Sequence, residues 1–461
     1  MTNQTVQKLR DSKTLRWGVL MLVSLSMMSG YIISDVVAPL KTMLEQAPTL
    51  WDSTDYGIFT SGYGWLNIFL LMLIFGGMIL DRLGIRFTGT LAMIVMIVGT
   101  AIKYWAISTT FENPMIQLPF GMEFKRQVLY AALGFAVFGT GVEMIGITAN
   151  KAVVKWFRGK EMAMAIGMNT AFGRVGTLIA LNLTPKIAAH FGSVSMPILI
   201  GLGLLCFGLC SFLVYSIMDR KLDKQDSDAG VVPDEPFRFR DIGRIASNSG
   251  FWLITVLCIL FYSAVFPYLK YAPDFMFQKF GIPLDKAGEI PSLLPLGTLI
   301  LTPFFGYIYD RKGRGATIMI IGAVLLVVVH ALFSVPSFDS TWIAVCLTIL
   351  LGIAFSLVPS AMWPSVAKIM PDNMLGTAYS MIFWVQNIGL SFVPLLIGFV
   401  LNKYCQTGEI TVAGNLTPTY DYTIPMMIFA AFGVLSIVFA LLLRRNDARK
   451  GYGLELPNIK K

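Results

Sequence analysis

An all-α membrane protein of twelve transmembrane helices, arranged as two pseudo-symmetric six-helix halves, is the fold that this 461-residue sequence predicts. Three observations lead there. Hydrophobic residues make up 55% of the chain and charged residues only 14%, against roughly 25% charged in soluble domains. With a mean hydropathy of +0.68, the chain carries more apolar surface than water can hold, which excludes both a soluble enzyme and a disordered chain. Second, apolar runs of membrane length recur twelve times. Third, one short motif closes both the second and the eighth run. Membrane strands would alternate apolar and polar residues over about ten positions, whereas runs such as Trp17 to Leu40 are continuous and nearly uncharged.

The runs lie at 17 to 40, 56 to 80, 87 to 108, 127 to 154, 160 to 187, 194 to 218, 250 to 272, 288 to 309, 315 to 335, 341 to 366, 374 to 402 and 424 to 443. Each is able to cross ~30 Å at 1.5 Å per residue. The first follows a polar stretch and is too long for a cleaved signal segment, so it reads as a retained anchor with the protein beginning at Met1. The longest polar break, with Asp219-Arg220-Lys221-Leu222-Asp223-Lys224 at its start, divides the chain into an N-terminal half (1–218), a central loop (219–248) and a C-terminal half (249–461).

Orientation follows from Lys and Arg near helix ends. On the side carrying the N-terminus stand 26 of the 36 basic residues, nine lie on or near the other side, and Arg174 lies within a span. Both termini and the central loop are therefore expected in the cytoplasm. The net charge of +9 reflects this topology, and no nucleic-acid partner is expected. Cys206, Cys210, Cys258 and Cys346 sit in apolar runs without metal-ligand spacing and, with Cys405, read as buried, reduced packing residues. The stretch 111 to 127 reads as an interfacial segment and 406 to 422 as a Thr-rich polar loop. Phe237-Arg238-Phe239-Arg240-Asp241-Ile242 reads as an amphipathic helix with arginines facing lipid phosphates.

The repeated motif is G-x-x-x-D-R-x-G: Gly77 to Gly84 with Asp81 and Arg82, then Gly306 to Gly313 with Asp310 and Arg311. A small residue lets helices approach, the Asp is suited to cap a neighbouring helix, and the Arg to hold it by a charged hydrogen bond. This doubled motif, the twelve runs and the long central break resemble the major facilitator superfamily, whose halves enclose a midplane site. The resemblance implies that Asp81, Arg82, Arg86, Asp310, Arg311 and Arg314 act in gating, although Ile85 stands where the family has a basic residue. A finer resemblance, to the family of the lysosomal dipeptide uniporter, is carried by Glu143 in Gly139-Thr140-Gly141-Val142-Glu143, by Arg174 in Gly173-Arg174-Val175-Gly176, and by Tyr31-Ile32-Ile33-Ser34-Asp35. Tyr262-Ser263-Ala264-Val265-Phe266-Pro267, Ala361-Met362-Trp363-Pro364 and Gln386-Asn387-Ile388-Gly389-Leu390 extend it into the second half. The N-terminal tail lacks an acidic dileucine signal, which favours the cell surface, above all a bacterial inner membrane, over the lysosome.

Glu143 and Arg174 are equidistant from the turn at Arg158-Gly159, each about 23 Å along its helix, hence at one depth near the membrane middle. Charges there need a partner or a cavity. One reading is a permanent ion pair that locks the hairpin. The other is a zwitterion site, in which Arg174 offers a planar fork to a carboxylate and Glu143 accepts an ammonium; the family resemblance implies the same assignment to dipeptide termini. Aligning Lys155 with Lys368 puts Ser356 opposite Glu143 and Asn387 opposite Arg174, so the second half is expected to give hydrogen bonds and packing. Tyr31, Asp35, Tyr262, Trp363, Gln386 and Asn387 complete the expected substrate site, with Asp35 open to binding, gating or structural roles. His330, alone in an apolar run, reads as a core residue.

The reading is thus an alternating-access carrier of small zwitterionic solutes, dipeptides first, by facilitated diffusion, working as a monomer in the bilayer without metal or cofactor. A proton-coupled peptide symporter and an organic-anion or sugar carrier of the same fold are the alternatives. A membrane enzyme or a receptor is disfavoured, since no metal pattern, nucleophile elbow or phosphate loop lies on a span.

Overall fold

The structure, a computed structural model, describes residues 9–118, 122–157, 160–227, 239–371, 374–412 and 414–458. Its first helix, α1 (Lys13–Asp35), starts at Ser12, whose side chain accepts from the Leu15 amide, and the chain continues through a short turn into α2 (Lys41–Leu44). A reciprocal box between Asp52 and Asp55 caps α3 (Ser53–Ser61). Then come α4 (Trp65–Phe69) and α5 (Met72–Ser108). Next are α6 (Arg126–Trp156), α7 (Met162–Phe191), α8 (Met196–Ser227), the short α9 (Phe239–Ala246) and α10 (Ser249–Phe280), the last capped by Asn248. The chain finishes through α11 (Leu293–Lys312), α12 (Gly315–Ser334), α13 (Thr341–Ile369), α14 (Leu375–Tyr404) and α15 (Thr423–Lys450).

Eleven of the described helices are long and apolar enough to cross a membrane. The twelfth span is inside α5, where Gly84 at φ 80° and ψ 174° breaks the helix into two limbs. A positive φ at that point suits only glycine without strain, which is why the motif ends on it. The first limb, with α3 and α4, makes the second span, and the second limb makes the third. The chain is a multi-pass integral membrane protein. Several ends lie away from the expected positions: α8 runs on as helix to Ser227, beyond 218, and α10 to Phe280, beyond 272.

Two expectations are corrected here. The stretch 406 to 422, expected as a polar loop, holds the antiparallel pair of β3 (Gln406–Val412) with β4 (Asn415–Tyr420), and within 111 to 127 β1 (Met115–Leu118) pairs antiparallel with β2 (Met122–Lys125). Their Thr, Ile and Phe residues favour strands once a turn brings two segments together. Cysteines also divide: all five are free, but Cys206, Cys210 and Cys346 are exposed while Cys258 and Cys405 are buried. An apolar run suits the lipid face and the core face of a helix equally, so sequence cannot separate them. His330 is a core residue, fully buried with Nε2 3.1 Å from the Ala264 carbonyl and its ring between Tyr268 and Phe429. Of the expected amphipathic helix, Phe237 and Arg238 lie outside the described residues, and α9 begins at Phe239.

The halves meet mainly at the end away from the chain termini, called the outer end below. There α3 packs on α14 so closely that a Cβ on Gly57 would stand 3.2 Å from Gly398 Cα. Among the described residues, side-chain hydrogen bonds that cross between halves cluster at this end, with Trp384 Nε1 to the Ile68 carbonyl at 3.2 Å near mid-depth. Among the described residues, no side-chain hydrogen bond joins the halves at the end nearer the termini.

Candidate functional site

A cavity of about 1300 Å³ lies between the halves, from Asp35, Thr60, Lys270 and Pro394 at its roof to Asp81, Asn150 and Gly376 towards the termini. Pro267, Pro273, Pro359 and Pro364 inside α10 and α13 interrupt backbone bonding along its C-terminal wall. Tyr31, Asp35, Glu143, Arg174, Tyr262, Trp363 and Gln386 all line it.

Glu143 and Arg174 share this cavity without pairing: among the described residues no ion pair joins them. Tyr63 instead donates to Glu143 Oε1 at 2.8 Å. The Arg174 guanidinium lies 5.4 Å from the Phe355 ring centre and 5.7 Å from that of Phe266, where ring faces offer a cation partial compensation while its N–H groups stay available. The permanent ion pair is therefore not the arrangement seen. Tyr31 is wedged on α7, because Gly173 and Gly176 leave room that a Cβ would close to 3.1 Å from it.

The C-terminal wall is aromatic. Trp363 Nε1 donates to the Tyr262 hydroxyl at 3.2 Å, the Tyr379 hydroxyl donates to the Trp363 carbonyl at 3.1 Å, and Trp363 and Phe383 have ring centres 5.0 Å apart. Gln386 Oε1 accepts from Cys258 Sγ at 3.6 Å. Asn387 does not line the cavity. It is buried behind the wall, with Nδ2 donating to the Phe383 carbonyl at 2.9 Å. Ser356, its expected counterpart to Glu143, is buried too and donates to the Gly352 carbonyl. A sequence offset aligns helix positions but not helix rotation, which explains the misplacement.

Three side chains at or near the cavity escaped the sequence reading as more than apolar-run residues or topology charges. Lys270 Nζ stands 2.6 Å from Asp35 Oδ1, whose other oxygen accepts from Thr177 at 2.7 Å, and this pair ties α10 to α1 across the roof. Tyr63 sets Glu143. Lys103 is fully buried, donating to the Ile33 carbonyl at 3.2 Å beneath the rings of Phe135 and Phe138. With Lys41 also fully buried, three of the nine basic residues assigned to the outer side are interior groups, and the surface charge bias is steeper than the count suggested.

The motif residues contact their own halves. Asp81 pairs with Lys151 at 2.7 Å, and Arg86 with Asp223 at 2.6 Å and Asp219 at 3.3 Å, while Arg82 is exposed. Asp310 accepts from Asn458 at 2.7 Å, Arg311 lies over the Tyr307 ring at 4.6 Å, and the Arg314 amide donates to the Glu455 carbonyl at 3.0 Å. The expected clasp of each Asp by the Arg beside it is not formed; the extension of α8 and the segment after α15 bring other partners.

The Major Facilitator Superfamily profile matches residues 12–394. The chain is 30% identical over 397 residues to the lysosomal dipeptide transporter MFSD1 of Mus musculus, covering 83% of this chain and 80% of that protein. To the Homo sapiens protein of that name it is 27% identical over 400 residues, covering 84% and 80%. In fold it is similar to a point variant of the nucleoside transporter NupG, at TM-score 0.70 and 15% identity over 92% of this chain and 99% of that one. A bacterial homolog of the human lysosomal transporter Spinster, inward-facing and unoccupied, gives TM-score 0.69 at 14% identity over 95% and 98%.

Proposed function

The chain belongs to the Major Facilitator Superfamily and is a membrane transporter of small molecules, not an enzyme, and on that premise we propose that it carries short zwitterionic peptides, dipeptides foremost, by facilitated diffusion. One observation carries the reading: the cavity holds one acid and one base, Glu143 and Arg174, that have no ion-pair partner among the described residues, while its other lining charges are spent on Asp35–Lys270 and Asp81–Lys151. A lone cation would suit an anion. A cation and an anion facing one space suit a ligand carrying both, and relatives at modest identity are named dipeptide transporters. Arg174 takes the carboxylate with its planar fork and Glu143, held by Tyr63, takes the ammonium. The aromatic wall around Trp363 packs the side chains.

In this reading the halves form the two rigid bodies of an alternating-access cycle, with residues 219–248 as the link, and the cavity seen here opens to the cytoplasm. A bacterial inner membrane fits the chain better than the lysosome. Uptake of a labelled dipeptide into proteoliposomes tests the function. Unlabelled dipeptides should compete, nucleosides and hexuronates should not, and imposing a proton gradient with the pH on the outer-end side held constant should leave the uptake rate within twofold. Competition by sugars or nucleosides alone would reject the cargo assignment.

Topology carries its own expected outcome. A cysteine introduced in the 219–248 segment should resist an impermeant maleimide applied to intact cells and react after permeabilisation; labelling from outside would reverse the orientation. For the gate, Asp81→Asn removes a half-exposed ion pair worth about 0 to 1 kcal/mol. Exchange rates should therefore change severalfold at near-constant binding affinity. Loss of binding with unchanged exchange would remove Asp81 from the gate.

A further inference from the structure

At the outer end, just past the first span, a second charged cluster is sealed from solvent and belongs to neither the cavity nor the repeated motif. Lys41 Nζ lies 2.7 Å from Glu45 Oε1 and 2.9 Å from Asp274 Oδ2, and all three side chains have zero exposure. Asp274 also accepts from Thr42 at 2.7 Å, from Gln278 at 3.4 Å and from the Tyr422 hydroxyl. Glu45 is served unevenly. Its Oε1 accepts from Lys41, from Ser53 at 2.9 Å and from Tyr420 at 3.2 Å, while Oε2 is buried with no hydrogen-bond partner.

The charge count is out of balance. One ammonium faces two carboxylates, and the other titratable groups around Glu45 are hydroxyls: Tyr56 of α3, Tyr271 of α10, Tyr420 of β4 and Tyr422 beyond it. A sealed net charge costs several kcal/mol, and so does an ionised oxygen without a donor. Asp274, with the richer set of donors, is the natural anion. Neutrality then asks for a proton on Glu45. Because Lys41 and Glu45 of the N-terminal half meet Asp274 and Tyr420 of the C-terminal half across the seam, the cluster exists in this form only while the outer end is shut.

We propose that Glu45 is a proton-binding site of the closed outer gate, filled when the halves meet there and emptied when they part. On opening, the Glu45 O–H bond breaks, the proton passes to water on the outer side, and the carboxylate is hydrated; on closing, a proton from the same side returns. No proton crosses the membrane, so the site regulates the gate without driving transport, whatever the cargo. Burial, more than any neighbour, pushes the Glu45 carboxyl from 4.5 up to about 7. Closure is thus fully favoured below pH 4.5 and loses that contribution as the pH rises through 7, since only the shut state holds the proton in between.

The test uses the full chain in lipid nanodiscs, with the native cysteines replaced and spin labels on Ser108→Cys and Asp339→Cys, both exposed at the outer end. Double electron–electron resonance should show the short distance dominating at pH 5, with the ratio of long to short rising tenfold or more by pH 8. Glu45→Gln should hold the short distance at both pH values. Tyr420→Phe, which removes a donor to the carboxylate, should move the midpoint to higher pH, and it decides the matter if Glu45→Gln does not give a monodisperse protein. Distances that ignore pH, or a response that survives Glu45→Gln or is unmoved by Tyr420→Phe, would overturn the proposal.

Discussion

Arg174→Lys is expected to lower dipeptide transport by about tenfold to a hundredfold, because a hydrogen bond to a charged group is worth about 1.5 to 3 kcal/mol and a lysine ammonium cannot reproduce the two-pronged geometry. The guanidinium rests on Phe266 and Phe355 rather than on an acid, so its replacement strands no buried carboxylate. The loss should follow the ligand. A C-terminally amidated peptide has already forfeited the Arg174 contact, so its weaker uptake should respond to Arg174→Lys by less than about threefold, and N-acetylation should blunt Glu143→Gln in the same way. These cycles separate a contact with cargo from damage to the hairpin, which would reduce all peptides alike.

Lys270→Met should have the other large effect. Stripping one partner from a buried ion pair costs about 3 to 5 kcal/mol, and since 17% of Lys270 and 13% of Asp35 remain exposed to the cavity, about 2 kcal/mol is the fitting figure here. The pair spans the roof between halves, so the loss falls on the outer-closed state and amounts to roughly a thirtyfold shift towards outward opening. The rate at which an outer-facing cysteine reagent reaches Thr60→Cys should rise accordingly. Adding Asp35→Asn should restore much of the protection, because it removes the stranded anion. An unchanged labelling rate in Lys270→Met would show that the pair does not hold the roof.

Much of this was legible from residues that speak locally. Continuous apolar runs announced the spans, and the first motif marked the close of the second span, where the structure breaks one long helix into two at Gly84. Glu143 and Arg174 were placed at one depth by counting from Arg158-Gly159, and they do face one cavity. What failed to show was pairing over distance. Lys270 meets Asp35, Lys41 meets Asp274, and Arg86 meets Asp223, each across long stretches of chain. Charge type alone sent Lys41, Lys103 and Lys270 to the topology count. Rotation was the second blind spot, since Asn387 lies at the right depth yet behind the wall, and Cys206 and Cys210 lie on exposed helix faces. The hairpins were missed because short polar strands form only when a turn supplies the partner.

The central claim, that one ligand bridges Glu143 and Arg174 by its two ends, is tested most directly by titrating the purified full-length transporter with one dipeptide in three forms. The free zwitterion should bind at least tenfold more tightly than either the N-acetylated or the amidated form, at about 1.5 kcal/mol or more per lost charged contact. Equal affinities for the three would contradict the account.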